Sequence, residues 1–344
     1  MAQTKSRKGA QTASSGGATL EDVSRLAKVS SATVSRVLNN PEIVAEATRE
    51  RVVAAIRETG YVPNLLAGGL ASNRSRLVAA FVPGIASSIF NETIEAMTRE
   101  LAAAGYLVVL GLMSDQPEEM DRTITSILSR RPDGLILTSA EASAQIRERL
   151  KAAKVTVIET WDLPARPVDV AIGFSHEAVG RAVARLAADK GRRAPLVITA
   201  DSRRALARMQ GFVNEAAKLG LGPVRCDVSA HAASGAINGA ERFAQALADG
   251  AAPDLVVCGS DAIAQGVLGE ALARRLSVPK DVAVVGFGGS ELGAFTLPPL
   301  TSVRIDGHAI GRQAAQVLLG RAKGVEPARR RIDVGFEIVL RESL

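Results

Sequence analysis

Ser31, Ala32 and Arg36 lie close together in the stretch SATVSRVLNN, where Val34, Val37 and Leu38 recur at helical spacing. The apolar residues line one face and leave short and polar side chains on the other. A helix that enters the major groove of DNA needs small residues near its N-terminus, so that its backbone can approach base edges. It also needs an arginine or polar groups to reach bases and phosphates. Ser31, Ala32 and Arg36 supply that set, and the N–H groups at a helix start can themselves hold phosphate.

Such a helix must be held by neighbours. Thr19 is an N-cap and Asp22 completes a capping-box pattern, with Leu20, Val23, Leu26 and Ala27 following at helical spacing. Val29-Ser30 breaks that helix, and Ser30 can cap the second. A third runs from about 47 to 59, with Val52, Ala55 and Ile56 inward, and Gly60 ends it. Three short helices joined by tight turns read as helix-turn-helix, although other small helical bundles carry similar spacings.

The rest of the chain has a different rhythm. From Leu77, Val-rich strands alternate with Ala/Leu-rich helices, and a second series of the same kind starts near Phe174. The pattern predicts two doubly wound parallel-sheet lobes. The expected division is a first lobe of about 77–160 plus 292–302, and a second of about 172–287 plus the C-terminal segment. The chain would cross between them near 159–172, near 286–294 and before RIDVGFEIVLRESL. Ligands of such sheets bind beyond the carboxyl ends of the strands, which points to PGIASSIF, TSAEAS, ETWDL, GFS, TADSRR, GSDA and GFGGSE.

Catalytic and cofactor chemistry finds no support. There is no G-x-G-x-x-G on a strand-helix turn, no P-loop and no G-x-S-x-G elbow. His176, His231 and His308 are far apart and lack metal-ligand spacing. No cofactor, no metal and no enzymatic activity are expected. Cys226 and Cys258 sit in apolar contexts and read as reduced core cysteines of a cytosolic protein. The first 18 residues read as a disordered basic tail without a secretory signal, and no apolar run reaches the ~18 residues of a membrane span.

Charge separates the two regions. The chain carries 42 Lys+Arg and 36 Asp+Glu, a net of +6. Residues 1–76 hold 11 and 6 of these, so nearly all of the excess sits on the small head. That is the distribution of a nucleic-acid reader joined to a neutral body.

The stretch from TLEDVSRLAKVSSATVSRVLNN through TRERVVAAI and GYVPN resembles the head of the LacI/GalR family of bacterial repressors. The resemblance implies a helix-turn-helix domain over 19–62, a hinge helix and linker over 63–76, and an effector-binding and dimerisation core over 77–344. Ser31 and Ala32 match the positions that choose between operators. Thr33, Ser35 and Arg36 match positions that contact phosphates or bases. Thr19, Asn39, Tyr61 and Asn64 match further DNA-contacting positions, and Leu70 matches the hinge leucine wedged into the minor groove. The alternative for Leu70 is a linker residue packed on the body. Gly68-Gly69 depart from the family pattern, and two glycines weaken an isolated helix by about 1 kcal/mol each.

The core resembles the family's effector domain, which is similar to a periplasmic sugar-binding protein. That resemblance implies a pocket formed by Ile89, Phe90, Glu159, Arg208, Ser260, Asp261 and Gly288. For Arg208 the alternative is a surface helix residue, for Phe90 a core aromatic, and for Asp261 a structural role at a helix start. Gly286-Phe287-Gly288-Gly289 stands where sugar and purine repressors carry G-Y-D-D or G-Y-D-N. Loss of that aspartate, with Arg208 kept, suits an anionic ligand. The strings AAFVPGIASSIFNETI, RPDGLILT, ETWDLP and VGFSHEAVG look most like the gluconate-utilisation repressor branch. The expectation is a homodimeric regulator, without membrane contact, that binds a palindromic operator in the bacterial cytoplasm and nucleoid under control of gluconate or a ketogluconate. Two alternatives stand beside it: the same regulator sensing a neutral or phosphorylated sugar, and a sugar-acid binding protein without a regulatory role.

Overall fold

The computed structural model describes residues 17–62, 74–84, 88–114, 116–138, 143–230 and 235–344. The expected tail, Asn64, Leu70 and most of the hinge segment lie outside these residues. The chain divides into two compact units, Met1–Asn73 and Arg74–Leu344.

In the first unit, α1 spans Leu20–Ala27, α2 Ser31–Asn39 and α3 Glu46–Thr59. Three of the boundaries have a clear local cause, whereas α3 starts after Ala45 with no side-chain cap. Thr19 and Asp22 form a reciprocal capping box, with the Asp22 N–H donating to Thr19 Oγ1 at 3.3 Å and the Thr19 N–H donating to Asp22 Oδ2 at 3.0 Å. Such a cap contributes about 1 kcal/mol. Ser30 accepts the Thr33 N–H at 3.1 Å, and Gly60 closes α3 at φ 65°. Val23, Ala27, Val34, Val37, Val52 and Ala55 form the core, with Leu20, Val29, Leu38, Ile56 and Tyr61 packed against it. Leu26 is exposed, and a short 3-10 turn at Pro41–Ile43 links α2 to α3.

The second unit holds two six-stranded sheets. The first is built from β1 (Leu77–Val82), β2 (Leu107–Leu112), β3 (Gly134–Leu137), β4 (Thr156–Thr160), β5 (Val170–Gly173) and β11 (Arg331–Asp333), in the order β11-β5-β4-β3-β1-β2, all parallel. The second contains β6 (Pro195–Ala200), β7 (Arg225–Ser229), β8 (Leu255–Cys258), β9 (Ala283–Gly288), β10 (Thr301–Arg304) and β12 (Glu337–Val339). Its order is β12-β10-β9-β8-β6-β7, and only β12 is antiparallel. The crossover helices are α4 (Asn91–Ala103), α5 (Pro117–Leu128), α6 (Ala144–Ala152), α7 (His176–Asp189), α8 (Arg203–Lys218), α9 (Ala236–Ala248), α10 (Asp261–Ala273) and α11 (Gly307–Ala322). Central strands such as GLIL and VAIG are buried at every position, as strands covered on both faces must be. Among the described residues, no helix is long and apolar enough to cross a membrane.

Sheet membership corrects the expected lobe division. The sequence reading places 292–302 in the first lobe and the C-terminal segment in the second. Instead β10 lies parallel beside β9 in the second sheet, with Thr301 opposite Val285 and Arg304 opposite Gly288. The chain then returns as α11, which packs on α4, and as β11 on the first sheet, before β12 rejoins the second. Crossings therefore fall after β5, after β10 and between β11 and β12. Strands as short and mixed as TSVR, RID and EIV do not encode which of two similar sheets they join.

The cysteine reading also changes in part. Cys258 is buried and free, but Cys226 is exposed, because β7 is an edge strand.

Glycines set the crossing of α7 and α8. A Cβ on Gly180 would lie 2.0 Å from the Arg208 carbonyl oxygen, and one on Gly211 would lie 2.4 Å from that of Glu177. The two backbones touch there, which fixes the start of α7 against the second and third turns of α8.

Candidate functional site

In the first unit, α2 presents the expected face. Val34 and Val37 are buried, Ala32, Arg36 and Asn39 are exposed, and Ser31, Thr33 and Ser35 are half-exposed. The Asn39 amide donates to the Ser35 carbonyl at 2.9 Å, and Ser31 Oγ lies 3.4 Å from Ser24 Oγ on α1. Among the described residues the head's ion pairs are Arg25–Asp22 and Arg49–Glu46, and Arg36 is in neither. Tyr61 is half-buried against the head core. Thr19 spends its hydroxyl on the α1 cap, which orients that helix start.

In the second unit, the carboxyl ends of the two sheets share a string of rings. Phe90 meets Trp161 edge-on at 5.1 Å, Trp161 meets Phe174 at 6.1 Å, and Phe174 lies 4.5 Å from His176 and 6.1 Å from Phe287. Phe90 and Trp161 belong to the first lobe, and Phe287 to the second. Trp161 follows β4 at φ 64°, an uncommon region for a bulky residue, and its indole N–H donates to Thr93 Oγ1 at 3.0 Å.

Three arginines of α8 face this wall. Ser202 caps the helix directly after β6, so its first turns stand at the carboxyl end of the second sheet. Arg203 pairs with Asp162, which follows β4. Arg204 donates to the Thr138 carbonyl at 2.9 Å, and its guanidinium lies 5.8 Å from the Phe90 ring centre. Arg208, one turn later, lies 3.7 Å over the Phe287 ring, donates to His176 Nδ1 at 3.0 Å and donates to the Gly259 carbonyl at 2.9 Å.

Arg208 has no carboxylate partner among the described residues; its bonded acceptors are a neutral ring nitrogen and a carbonyl. Burial, with Arg204 nearby, pushes its guanidinium down to about 9. His176 Nε2 lies 3.0 Å from the Trp161 carbonyl oxygen, so Nε2 carries the proton and Nδ1 accepts from Arg208. Burial first, then the positive charges of Arg208 and Arg204, lowers His176 to about 2 and keeps it neutral.

The expected pocket residues divide. Phe90 is buried, 4% exposed, and belongs to the core, as its alternative reading had it, whereas Arg208 is half-buried above the Phe287 ring. Ile89 and Gly288 approach each other between the lobes: a Cβ on Gly288 would lie 3.3 Å from Ile89 Cγ2. Ser260 caps α10 by accepting the Ile263 N–H at 3.2 Å. Asp261 is buried and committed. Its Oδ1 accepts from Ser302 Oγ at 2.5 Å and its Oδ2 from the Ser290 N–H at 2.7 Å, so it shapes the 288–290 turn. Burial raises its carboxyl above the ordinary value, opposed by those hydrogen bonds.

Glu159 is placed differently from its expected role. It is fully buried, pairs with Arg147 at 3.2 Å and accepts the Val168 N–H at 2.7 Å. Strand alternation turns it toward the same side as Val157, while Trp161 and Asp162, just beyond β4, reach the ring wall and Arg203.

Trp161, Asp162, His176, Arg203 and Arg204 are not among the expected site residues. Their signal is positional, since ETWDL, GFS (which His176 follows) and TADSRR come at or directly after strand ends in a doubly wound sheet. Beneath Arg208 and Phe287 a cavity of about 30 Å³ is lined by Val197, Thr199, Val257 and Cys258. It has room for water but not for a sugar ring, so a ligand at Arg208 must come from the space between the lobes.

A small helical head and a two-sheet α/β core agree with the known proteins this chain is similar to. Residues 19–64 match the family described as bacterial regulatory proteins, lacI family, and 177–344 match the periplasmic binding protein-like domain. The HTH-type transcriptional regulator GntR of Pseudomonas aeruginosa is 36% identical over the full length of both chains. The chain belongs to the LacI family. The Escherichia coli K12 regulator of the same name is 30% identical over 93% of this chain and 96% of its own. Among solved structures, a LacI-family regulator from Silicibacter pomeroyi superposes with a TM-score of 0.87 at 32% identity, covering 95% of this chain and 99% of that one. The lac repressor dimer bound to operator and the anti-inducer ONPF gives 0.84 at 25% identity, with the same coverages. This LacI-family protein is a DNA-binding transcriptional regulator, with the helix-turn-helix head and the two-sheet effector-binding fold of its relatives.

Proposed function

We propose that this regulator acts as a homodimer on a palindromic operator in the bacterial cytoplasm, and that a sugar acid, gluconate or a ketogluconate, sets its operator affinity by binding at Arg208. The observation that carries the ligand class is Arg208 itself. A half-buried guanidinium without a carboxylate is partly desolvated, and an incoming carboxylate offsets that cost through two parallel charge-assisted hydrogen bonds. Arg204, one turn away on α8, adds positive potential, while Asp261 and Glu159 have both carboxylate oxygens already engaged. The wall thus offers donors and few acceptors, which favours an anion over a neutral sugar. The resemblance to GntR-named regulators supports the same branch.

Pairing is supported by apolar surface on both lobes. Leu107, Leu110 and Leu112 on edge strand β2 are exposed, as are Leu272, Leu292, Phe295 and Leu297 on the second lobe, with Phe295 81% exposed. Large apolar side chains gathered on a surface mark an interface. Two heads spaced by a turn of DNA would then read the two half-sites.

Calorimetric titration with gluconate, 2-ketogluconate, 6-phosphogluconate and glucose tests the ligand class. One of the acids should bind, glucose should not, and Arg208→Met should abolish binding while keeping the operator shift. Preferential binding of glucose overturns the sugar-acid reading, and tightest binding of 6-phosphogluconate replaces it with a phosphorylated effector. Failure to shift the protein's own upstream DNA would leave the non-regulatory binding protein.

A further inference from the structure

His176 is buried at the start of α7, between a first-lobe carbonyl and a second-lobe guanidinium. Its Nε2–H donates to the Trp161 oxygen at 3.0 Å, and its Nδ1 accepts from Arg208 Nη1 at 3.0 Å. Both partners are themselves fixed. Trp161 is locked by Phe90, Phe174 and Thr93, at a positive φ. Arg208 is held by the Gly259 carbonyl, by the Phe287 face and by the glycine contacts that bring α8 onto α7.

Resting on the reading of Arg208 as the anion-gripping group, the geometry points to His176 as a positioning residue that relays Arg208 to Trp161 across the lobes. One ring bonded at both ends transmits a displacement of either partner to the other. A ligand that draws the Arg208 guanidinium toward itself must stretch or break the Nδ1 bond, and this releases or shifts the Trp161 strand end in the first lobe. Effector capture in the second lobe thereby becomes a change in the first lobe, from which residues 63–73 lead to the head. An imidazole suits this task because it offers one donor and one acceptor on opposite sides of a rigid ring. Its charge is not needed, and a charged imidazole would lose the acceptor for Arg208.

Two measurements on the full chain test this. The first needs no effector: histidine ¹⁵N NMR, with the His176 signal identified by its loss in His176→Gln. The neutral Nε2–H form is expected, and Arg208→Met should move the Nδ1 signal of His176 and leave those of His231 and His308 in place. A proton on Nδ1, or no response to Arg208→Met, overturns the relay. The second compares His176→Phe with His176→Gln, the latter supplying an amide donor and acceptor at similar reach. With gluconate or 2-ketogluconate as probe, His176→Phe should reduce the ligand-induced change in operator affinity about tenfold or more, and His176→Gln should recover part of it. Emission from Trp161, the sole tryptophan, should respond to ligand in the wild type and not in His176→Phe. Full coupling in His176→Phe overturns the relay. If no sugar acid binds the wild type, the effector reading fails alone, and the NMR result still decides the role of His176.

Discussion

Arg203, the first residue of α8, forms an ion pair with Asp162, two residues beyond β4, so a charge pair ties the second lobe to the first at the edge of the aromatic wall. The Arg203 side chain is 51% exposed and that of Asp162 12%, which places the pair between a screened surface bridge and a buried one. Its coupling should therefore be small, about 0.5–1 kcal/mol.

A double-mutant cycle with Arg203→Ala and Asp162→Asn, read by urea unfolding, should return that coupling and lose most of it at high salt. Since the pair bridges the lobes, each single variant should also change effector affinity severalfold while leaving the head's DNA contacts alone. An additive cycle with unchanged effector affinity would show that the pair does not hold the lobes together.

His176 gives the protein a specific acid sensitivity. Its folded value is lowered to about 2 from an ordinary 6.5, so between these limits the unfolded chain binds one more proton than the native one. The stability contributed by the neutral buried ring is fully present above about pH 6.5 and is lost as the pH falls. Below that point the wild type should lose about 1.4 kcal/mol per pH unit relative to His176→Gln, which has no group to titrate there. Parallel pH–stability curves for the two proteins would contradict a buried neutral imidazole.

Much of this was legible in the sequence, for reasons specific to each element. The head could be read almost to the residue, because Thr19, Asp22, Ser30 and Gly60 write its boundaries in local hydrogen bonds and backbone conformation. The βα alternation was legible because strands buried on both faces are continuous apolar runs. Which sheet β10 and β11 join was not, since TSVR and RID are short segments whose residue types favour neither sheet. The partners of Glu159, Arg147 and the Val168 N–H, were not legible, because position near a strand end does not fix which face a side chain takes. Arg203 and Arg204 were passed over because adjacent arginines at a helix start look like ordinary solvated charge until Asp162 and the Thr138 carbonyl are brought to them.

On the head, Arg36 is the exposed cation of α2 and is absent from the head's ion pairs. Arg36→Ala should weaken operator binding without unfolding the head, whose core it does not enter. The salt dependence separates its two possible contacts. If Arg36 neutralises a phosphate, the slope of log K against log salt should fall by about 0.9 with sequence preference unchanged. If it reads a base, the slope should hold and discrimination at a single operator position should relax by about 1–3 kcal/mol. Wild-type affinity and slope in the variant would remove Arg36 from the interface and leave reading to Ser31, Ala32 and the helix start.

Gly288 stands where the family resemblance expects an aspartate, and restoring a carboxylate there tests the proposed preference for an anion. Its φ is 134°, a conformation L side chains rarely adopt, and a Cβ there would stand 3.3 Å from Ile89 Cγ2 and 3.4 Å from Asp261 Oδ2. Gly288→Asp therefore adds backbone strain and a second carboxylate beside one that burial already disfavours in its charged form. The expected cost is about 2–4 kcal/mol by urea unfolding, and Gly288→Ala, which keeps the strain without the charge, should account for about 1–2 kcal/mol of it. Neither variant should gain glucose binding, because the new carboxylate enters a turn organised by Asp261, Ser290 and Ser302 rather than open space. If Gly288→Asp instead binds glucose at wild-type stability, then the glycine alone selects against neutral sugars, and the three arginines of α8 are not the source of the preference for an acid.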